Sequence, residues 1–268
     1  MTSPSRLVLL GSPVAHSLSP RFQNAALESA GLPIRYEVLD VAPADLDARL
    51  RELVEAGAAG NVTIPHKRAV LERCVRATPL ARRAGAVNTF WTEDGALAGD
   101  NTDVPAFAAA AAALLGGPPR GIAIALIGAG GAAAAVAVAA AEWEGTAVRV
   151  FARDAARGEA FARRFAPNVT AAPSLDAALE GAMLVVNATP LGLGDGDRLP
   201  VPIERLPRGA AVFDLVYRRG GTPWVRAARA DGLTAADGLG MLVEQGALAF
   251  ERWFGRAPDR EAMWRAVR

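Results

Sequence analysis

The segment Ile122-Ala123-Ile124-Ala125-Leu126-Ile127-Gly128-Ala129-Gly130-Gly131-Ala132-Ala133 constrains the fold more than any other part of this 268-residue chain. Its first half is an unbroken apolar run that reads as a buried strand, and the small residues after the glycines read as a helix. Between them, Gly-x-Gly-x-x-Ala allows few backbone paths. Gly128 permits a tight turn, Gly130 lets a pyrophosphate approach the backbone, and Ala133 keeps the helix close to the sheet. The helix start would present N–H donors to phosphates. With a strand before it and a helix after it, the motif predicts a dinucleotide-binding unit. Gly121 to Ala141 carries no charge for 21 residues, a length that could cross a bilayer. It is mostly alanine and glycine and divides at the turn, so a buried strand–turn–helix is the expectation.

The rest of the chain supports an α/β fold in two parts. Before the glycine turn, strands are expected at Leu7–Leu10, Tyr36–Asp40 and Gly60–Thr63, with a hairpin over Val87–Gly99. Helices are expected from Ser19-Pro20 to Gly31, with Ser19 as cap, and from Asp45 to Gly57. Asp103–Leu115 is an alanine-rich helix ended by Gly116-Gly117-Pro118-Pro119. From Gly121 onward, strands at Ile122–Ile127, Ala147–Phe151, Met183–Asn187 and Val212–Leu215 alternate with helices near Ala132, Ala155 and Ser174. Near-continuous apolar strands between helices indicate a parallel sheet covered on both faces. Gly240 to Arg268 reads as two helices, with no clear strand after Ala235.

The end of the strand after the glycine turn reports on the nicotinamide. A carboxylate there suits the ribose 2′-hydroxyl of NAD; cations suit the 2′-phosphate of NADP. Arg153 lies 23 residues after Gly130, and Arg157 one helical turn further. Two guanidiniums favour NADP. Asp154 complicates this, because it could pair with Arg157 or weaken phosphate binding.

Composition narrows the chemistry. Of 29 basic side chains only Lys67 is lysine. Arginine stays protonated, whereas a lysine can give up its proton, so the exception points to proton chemistry at Lys67. A net charge of +1 gives no case for a nucleic-acid or membrane surface. The single Cys74 excludes an internal disulfide and fits a reducing cytoplasm. With two histidines, His16 and His66, a histidine-rich metal site is not expected. The four apolar residues Leu7–Leu10 are too few for a signal-peptide core.

Five further segments resemble the shikimate dehydrogenase family. They are Gly11-Ser12-Pro13-Val14-Ala15-His16-Ser17-Leu18-Ser19-Pro20, Asn61-Val62-Thr63-Ile64-Pro65-His66-Lys67, Gly85-Ala86-Val87-Asn88-Thr89, Gly99-Asp100-Asn101-Thr102-Asp103 and Gly238-Leu239-Gly240-Met241-Leu242-Val243-Glu244-Gln245-Gly246. They occur in the family's order. The resemblance implies a discontinuous α/β substrate domain over 1–103 and 238–268, and a Rossmann-type NADP-binding domain over 104–237. It implies reversible, NADPH-dependent reduction of 3-dehydroshikimate to shikimate. Carried over by position, Lys67 and Asp103 would form the catalytic pair. Ser17 and Ser19 would bind the substrate carboxylate with Tyr217 nearby, and Thr63, Asn88 and Gln245 the ring hydroxyls. Gly128, Ala129, Gly130, Gly131, Ala132, Arg153, Arg157 and Thr189 would bind the cofactor. Ala152-Arg153-Asp154 departs from the Asn-Arg-Thr of many members but keeps both arginines.

Hydride delivery to a ketone builds negative charge on oxygen, and a placed proton donor must meet it. A charged Lys67 serves directly as acid; in the oxidation direction it must first lose a proton, which predicts faster oxidation at alkaline pH. The plain alternative for Lys67 and Asp103 is a structural ion pair. His16 and His66 read as packing or hydrogen-bonding residues, Arg82-Arg83, Arg163-Arg164 and Arg218-Arg219 as solvated charge, and Trp143, Trp224, Trp253 and Trp264 as core or half-buried anchors. Quinate or aminoshikimate dehydrogenase activity with NAD or NADP, or a metabolite sensor without turnover, are the competing functions. The expected partner is a small-molecule substrate, with the chain a monomer or homodimer.

Overall fold

The computed structural model describes residues 3–194 and 196–268. It divides into two compact units: one runs to Ala106 and resumes over Leu242–Arg268, and the other is Phe107–Met241.

The first unit begins with β1 (Leu7–Gly11), α1 (Ser19–Ser29), β2 (Tyr36–Asp40), α2 (Leu46–Glu55), β3 (Ala59–Val62) and α3 (Lys67–Arg73). It continues with β4 (Arg76–Ala77), α4 (Pro79–Ala84) and the hairpin β5 (Thr89–Glu93) and β6 (Ala96–Asp100). Helix α5 (Asp103–Leu115) then leads into the second unit. The six strands run in the order β2-β1-β3-β5-β6-β4. β1 pairs in parallel with β2 and β3, whereas β5 is antiparallel to both β3 and β6. Leu46, Leu50 and Leu53, three or four residues apart on α2, share one apolar face. They pack with Val8, Leu10, Val62, Val70 and Phe90.

The second unit holds β7 (Ala123–Ile127), α6 (Gly131–Ala140), β8 (Ala147–Phe151), α7 (Ala155–Arg164), β9 (Val169–Ala171), α8 (Leu175–Leu179), β10 (Leu184–Asn187), β11 (Ala211–Asp214), α9 (Pro223–Ala230) and β12 (Ala235–Asp237). Its strands are all parallel, in the order β12-β11-β10-β7-β8-β9. The chain moves outward from β7 through β8 and β9, then returns to lay β10 on the other side. The carboxyl ends of β7 and β10 therefore form the switch point at which open α/β sheets bind ligands. The uncharged stretch is β7, a turn and α6; Ala133 to Ala140 are all buried. Among the described residues no helix is long and apolar enough to cross a membrane.

Finally α10 (Leu239–Phe254) and α11 (Arg260–Arg265) follow, the chain re-entering the first unit at Leu242. Here Gly246 has a packing reason: a Cβ on it would lie 2.3 Å from Phe22 Cε2 of α1. The bare backbone lets α1 approach until Gln23 Nε2 donates to the Gly246 carbonyl at 2.9 Å.

Two local expectations need correction. Ser19 does not cap α1. Leu18, already in the right-handed helical region, is the cap, and Ser17 Oγ accepts from the Ser19 N–H at 3.2 Å. The chain turns into the helix one residue early, through Ser17 N–H to Val14 O. The second concerns β12, which occupies Ala235–Asp237 where no clear strand was expected. Three residues are too few to show a period, and pairing with β11 defines the strand.

Candidate active site

In the first unit, Lys67 is the first residue of α3 and Asp103 the first of α5. Lys67 Nζ lies 2.6 Å from Asp103 Oδ2, with side chains 26% and 15% exposed. The Lys67 backbone is held from both sides of its turn. Its carbonyl accepts from Val87 N–H at 2.9 Å, and the preceding His66 is buried with Nε2 2.7 Å from Val41 O. The hydrogen-bonding role expected of His66 is therefore structural; His16 is exposed. Asn88 Nδ2 donates to Asp103 Oδ1 at 2.8 Å and lies 3.3 Å from Gln245 Oε1. Gln245 is fixed in turn by donation to Leu242 O at 2.8 Å. Lys67, Asp103, Asn88 and Gln245 thus form one hydrogen-bonded set drawn from four segments far apart in sequence.

Thr63 is half-buried at the end of β3, on the turn into α3, where its carbonyl accepts from His66 N–H. Ser19 is 4% exposed on the same helix as Gln23, whose amide binds the residue after Gln245. Among the described residues the hydroxyls of Ser19, Thr63 and Tyr217 make no hydrogen bond within the protein.

The second unit carries the glycine turn. Gly128 has φ +107°, and a Cβ on it would lie 2.9 Å from Thr189 Cγ2 and 3.0 Å from Ala188 O. Only glycine supplies both that backbone angle and that clearance. Gly130 is the cap of α6, so the first-turn N–H groups of Gly131 and Ala132 lead the helix. Arg157 Nε donates to Ala129 O at 3.3 Å, which sets this guanidinium beside the turn. Arg153 and Arg157 are both exposed. Asp154 caps α7, with Oδ1 accepting from the Arg157 backbone N–H at 3.2 Å. Arg153 follows the end of β8, and Arg157 lies in the first turn of α7. These residues fit a dinucleotide with a 2′-phosphate.

Tyr217 lies past β11, and burial pushes its phenol pKa up. The motifs did not reveal what holds its segment and that of Thr189. Asn187 and Asp214 end neighbouring strands, fully buried. Asn187 Nδ2 donates to Asp214 Oδ1 at 2.8 Å and to Leu191 O at 3.1 Å; its Oδ1 accepts from Thr189 N and Oγ1. Thr222 Oγ1 donates to Asp214 Oδ2 at 2.7 Å. Burial raises the Asp214 carboxyl pKa, the hydrogen bonds from Thr222, Asn187 and Val216 oppose this, and the Asp237 charge adds to it. The available signal was a polar residue closing each of two apolar strands, Leu184–Asn187 and Ala211–Asp214.

Residues 9–90 match the family model of the shikimate dehydrogenase substrate binding domain, and residues 238–268 that of the shikimate 5'-dehydrogenase C-terminal domain. A shikimate dehydrogenase (NADP(+)) of Methylocella silvestris is 44% identical, over 94% of this chain and 91% of that protein. One from Thermus thermophilus is 45% identical, over 98% and 97%. The chain belongs to the shikimate dehydrogenase family. The solved shikimate 5-dehydrogenase from a second strain of Thermus thermophilus, in complex with NADP(H) and shikimate, is 44% identical. It superposes with a TM-score of 0.88 over 98% of each chain. Shikimate dehydrogenase relatives thus match nearly the full length, including the α/β unit with the glycine turn.

Proposed function

We propose that this protein is an NADP-dependent shikimate dehydrogenase, reducing 3-dehydroshikimate reversibly to shikimate. The observation that carries the reading is the 2.6 Å Lys67–Asp103 pair, locked through Asn88 to Gln245. When bound, the nicotinamide supplies the hydride. As negative charge develops on the substrate oxygen, the Lys67 ammonium donates a proton to it. Asp103 holds the ammonium in one direction and leaves it two further N–H donors for the substrate. In the reverse direction Lys67 takes the hydroxyl proton. Ser17, Ser19 and Tyr217 are assigned to the substrate carboxylate, and Thr63, Asn88 and Gln245 to the ring hydroxyls. The N–H groups after Gly130 take the pyrophosphate, Arg153 and Arg157 the 2′-phosphate, and Thr189 the cofactor edge beside Gly128. The protein is read as cytoplasmic, consistent with its unpaired Cys74, and as a monomer or homodimer.

Steady-state rates with shikimate and quinate, each with NADP and NAD, test the reading. The fastest turnover is expected for shikimate with NADP; preference for quinate with NAD overturns it. Lys67→Arg tests the acid itself. It keeps the positive charge and removes the only lysine, so folding and shikimate binding should persist while kcat falls about 10²-fold or more. Wild-type turnover in that variant refutes the assignment.

A further inference from the structure

The side chain of Asn88 is an amide, and its two ends are not equivalent to the pair it touches. With the NH2 toward Asp103 it donates to the carboxylate; flipped, it sets an oxygen against an oxygen. Backbone groups decide the orientation. The Thr102 N–H can only donate, and it lies 2.7 Å from one end of the Asn88 amide, so that end is Oδ1. The other end, Nδ2, then has Thr102 Oγ1 at 2.9 Å and Asp103 Oδ1 at 2.8 Å. Thr102 grips the amide at both ends, and the other amide hydrogen points to Asp103 Oδ1, with Gln245 Oε1 as a longer second acceptor at 3.3 Å.

The restraint extends inward. Asn61 Nδ2 lies 3.1 Å from the main-chain carbonyl oxygen of Asn88, which can only accept, and 3.1 Å from Thr89 Oγ1. Asn61 Oδ1 therefore faces the Tyr36 hydroxyl at 2.8 Å. The Thr89 hydroxyl hydrogen is left to point at Asn88 Oδ1 or Thr102 Oγ1. Tyr36, Asn61, Thr89, Asn88 and Thr102 are all buried. Water cannot substitute for a missing partner cheaply there.

We propose that Thr102 is a positioning residue for the Lys67–Asp103 pair, acting through the Asn88 amide. The proposal rests on the catalytic reading of that pair. With the amide plane fixed, Asp103 Oδ1 is held by Asn88 and Oδ2 by Lys67, so the carboxylate cannot rotate and the ammonium keeps one direction.

Thr102→Val tests this, since valine keeps the shape and the backbone N–H but loses Oγ1, opening one end of the grip. The expected result is a fall in kcat of about tenfold, as for an interaction used in the transition state, with the NADP KM unchanged. Thr102→Ser, which restores the hydroxyl, should return kcat to within about twofold. In an Asp103→Asn background Thr102→Val should cost less than about twofold, because the group it positions is gone. If circular dichroism shows Thr102→Val unfolded, Thr102→Ala takes its place with the same expected outcomes. Unchanged kcat in the folded valine or alanine variant, no rescue by serine, or equal losses with and without Asp103 each overturn the proposal. Lys67→Arg run alongside separates the two readings. Full turnover in Lys67→Arg removes the catalytic pair itself, whereas lost turnover there with an unaffected Thr102 variant removes only the role of Thr102.

Discussion

Asp103→Asn replaces one oxygen by an NH2 and changes almost no volume, yet the structure gives it no good orientation. The Lys67 ammonium can only donate and sits 2.6 Å from Oδ2; Asn88 Nδ2, fixed as a donor, sits 2.8 Å from Oδ1. An asparagine at 103 must turn its NH2 toward one of these two donors. Facing its oxygen to Lys67 sets N–H against N–H at Asn88, and the reverse order abuts the ammonium. Either way a largely buried donor loses its acceptor, which costs about 1–3 kcal/mol of folding stability. Where the NH2 faces Lys67, the lysine also loses a charge-assisted hydrogen bond, about 1.5–3 kcal/mol; where the oxygen faces it, the ammonium keeps only a neutral acceptor. If that direction is used in the transition state, kcat falls roughly 10- to 10²-fold, at 1.36 kcal/mol per decade. Urea unfolding followed by circular dichroism reads the first quantity, and NADPH absorbance under saturating substrates reads the second. An Asp103→Asn protein with wild-type stability and kcat would falsify the directional argument, because it would mean that neither donor depends on the carboxylate.

Two further outcomes follow from the second unit. Gly128→Ala should weaken NADP binding by at least about tenfold while shikimate binding, measured calorimetrically without cofactor, is unchanged. The added Cβ, 2.9 Å from Thr189 Cγ2 and on a backbone at φ +107°, must displace the turn or the Thr189 segment; equal NADP affinity contradicts this. Asp214→Asn should flatten part of the pH dependence of stability. Burial raises the Asp214 pKa in the fold, so between its unfolded and folded values the native state holds the extra proton and stability falls as pH rises. The stability difference between wild type and Asp214→Asn should therefore shift against wild type as pH climbs from about 4 toward neutrality. A pH-independent difference contradicts the assignment.

Much of this architecture was legible because its local signals agreed. The glycine turn lay between an apolar strand and an alanine-rich helix, and β7 and α6 form there. Tyr36–Asp40 and Asp103–Leu115 appear with the bounds their patterns indicated. The short strands were not legible. Arg76–Ala77, Val169–Ala171 and Ala235–Asp237 are two or three residues long and exist through pairing with β6, β8 and β11. Ser19 misled for a related reason: serine before proline is a good cap by composition, but the turn at Val14–Ser17 makes Leu18 the cap and Ser19 the first helical residue. At the site, Lys67 stood out by its rarity. The acceptor it needs lay 36 positions away, and only the arrangement of α3 against the start of α5 sets them 2.6 Å apart. The roles of Thr102, Asn61, Asn187 and Asp214 were hidden because hydrogen-bond direction is a property of neighbours and not of residue type.

Both units use the same device to turn that direction into geometry. In the first, the Thr102 N–H fixes Asn88 Oδ1 and so sends the amide N–H to Asp103. In the second, the Thr189 N–H fixes Asn187 Oδ1, and the amide N–H groups go to Asp214 and the Leu191 carbonyl. An asparagine is suited to this, because a backbone N–H at one end dictates a donor at the other. A buried amide so fixed is costly to flip, since flipping leaves donor facing donor and acceptor facing acceptor. The two amides therefore hold a carboxylate on one side and a loop on the other without carrying charge themselves. A leucine of similar size would fill either space and specify neither orientation. That is why these buried positions are polar, and why their contribution should register in kcat and in cofactor affinity as well as in stability.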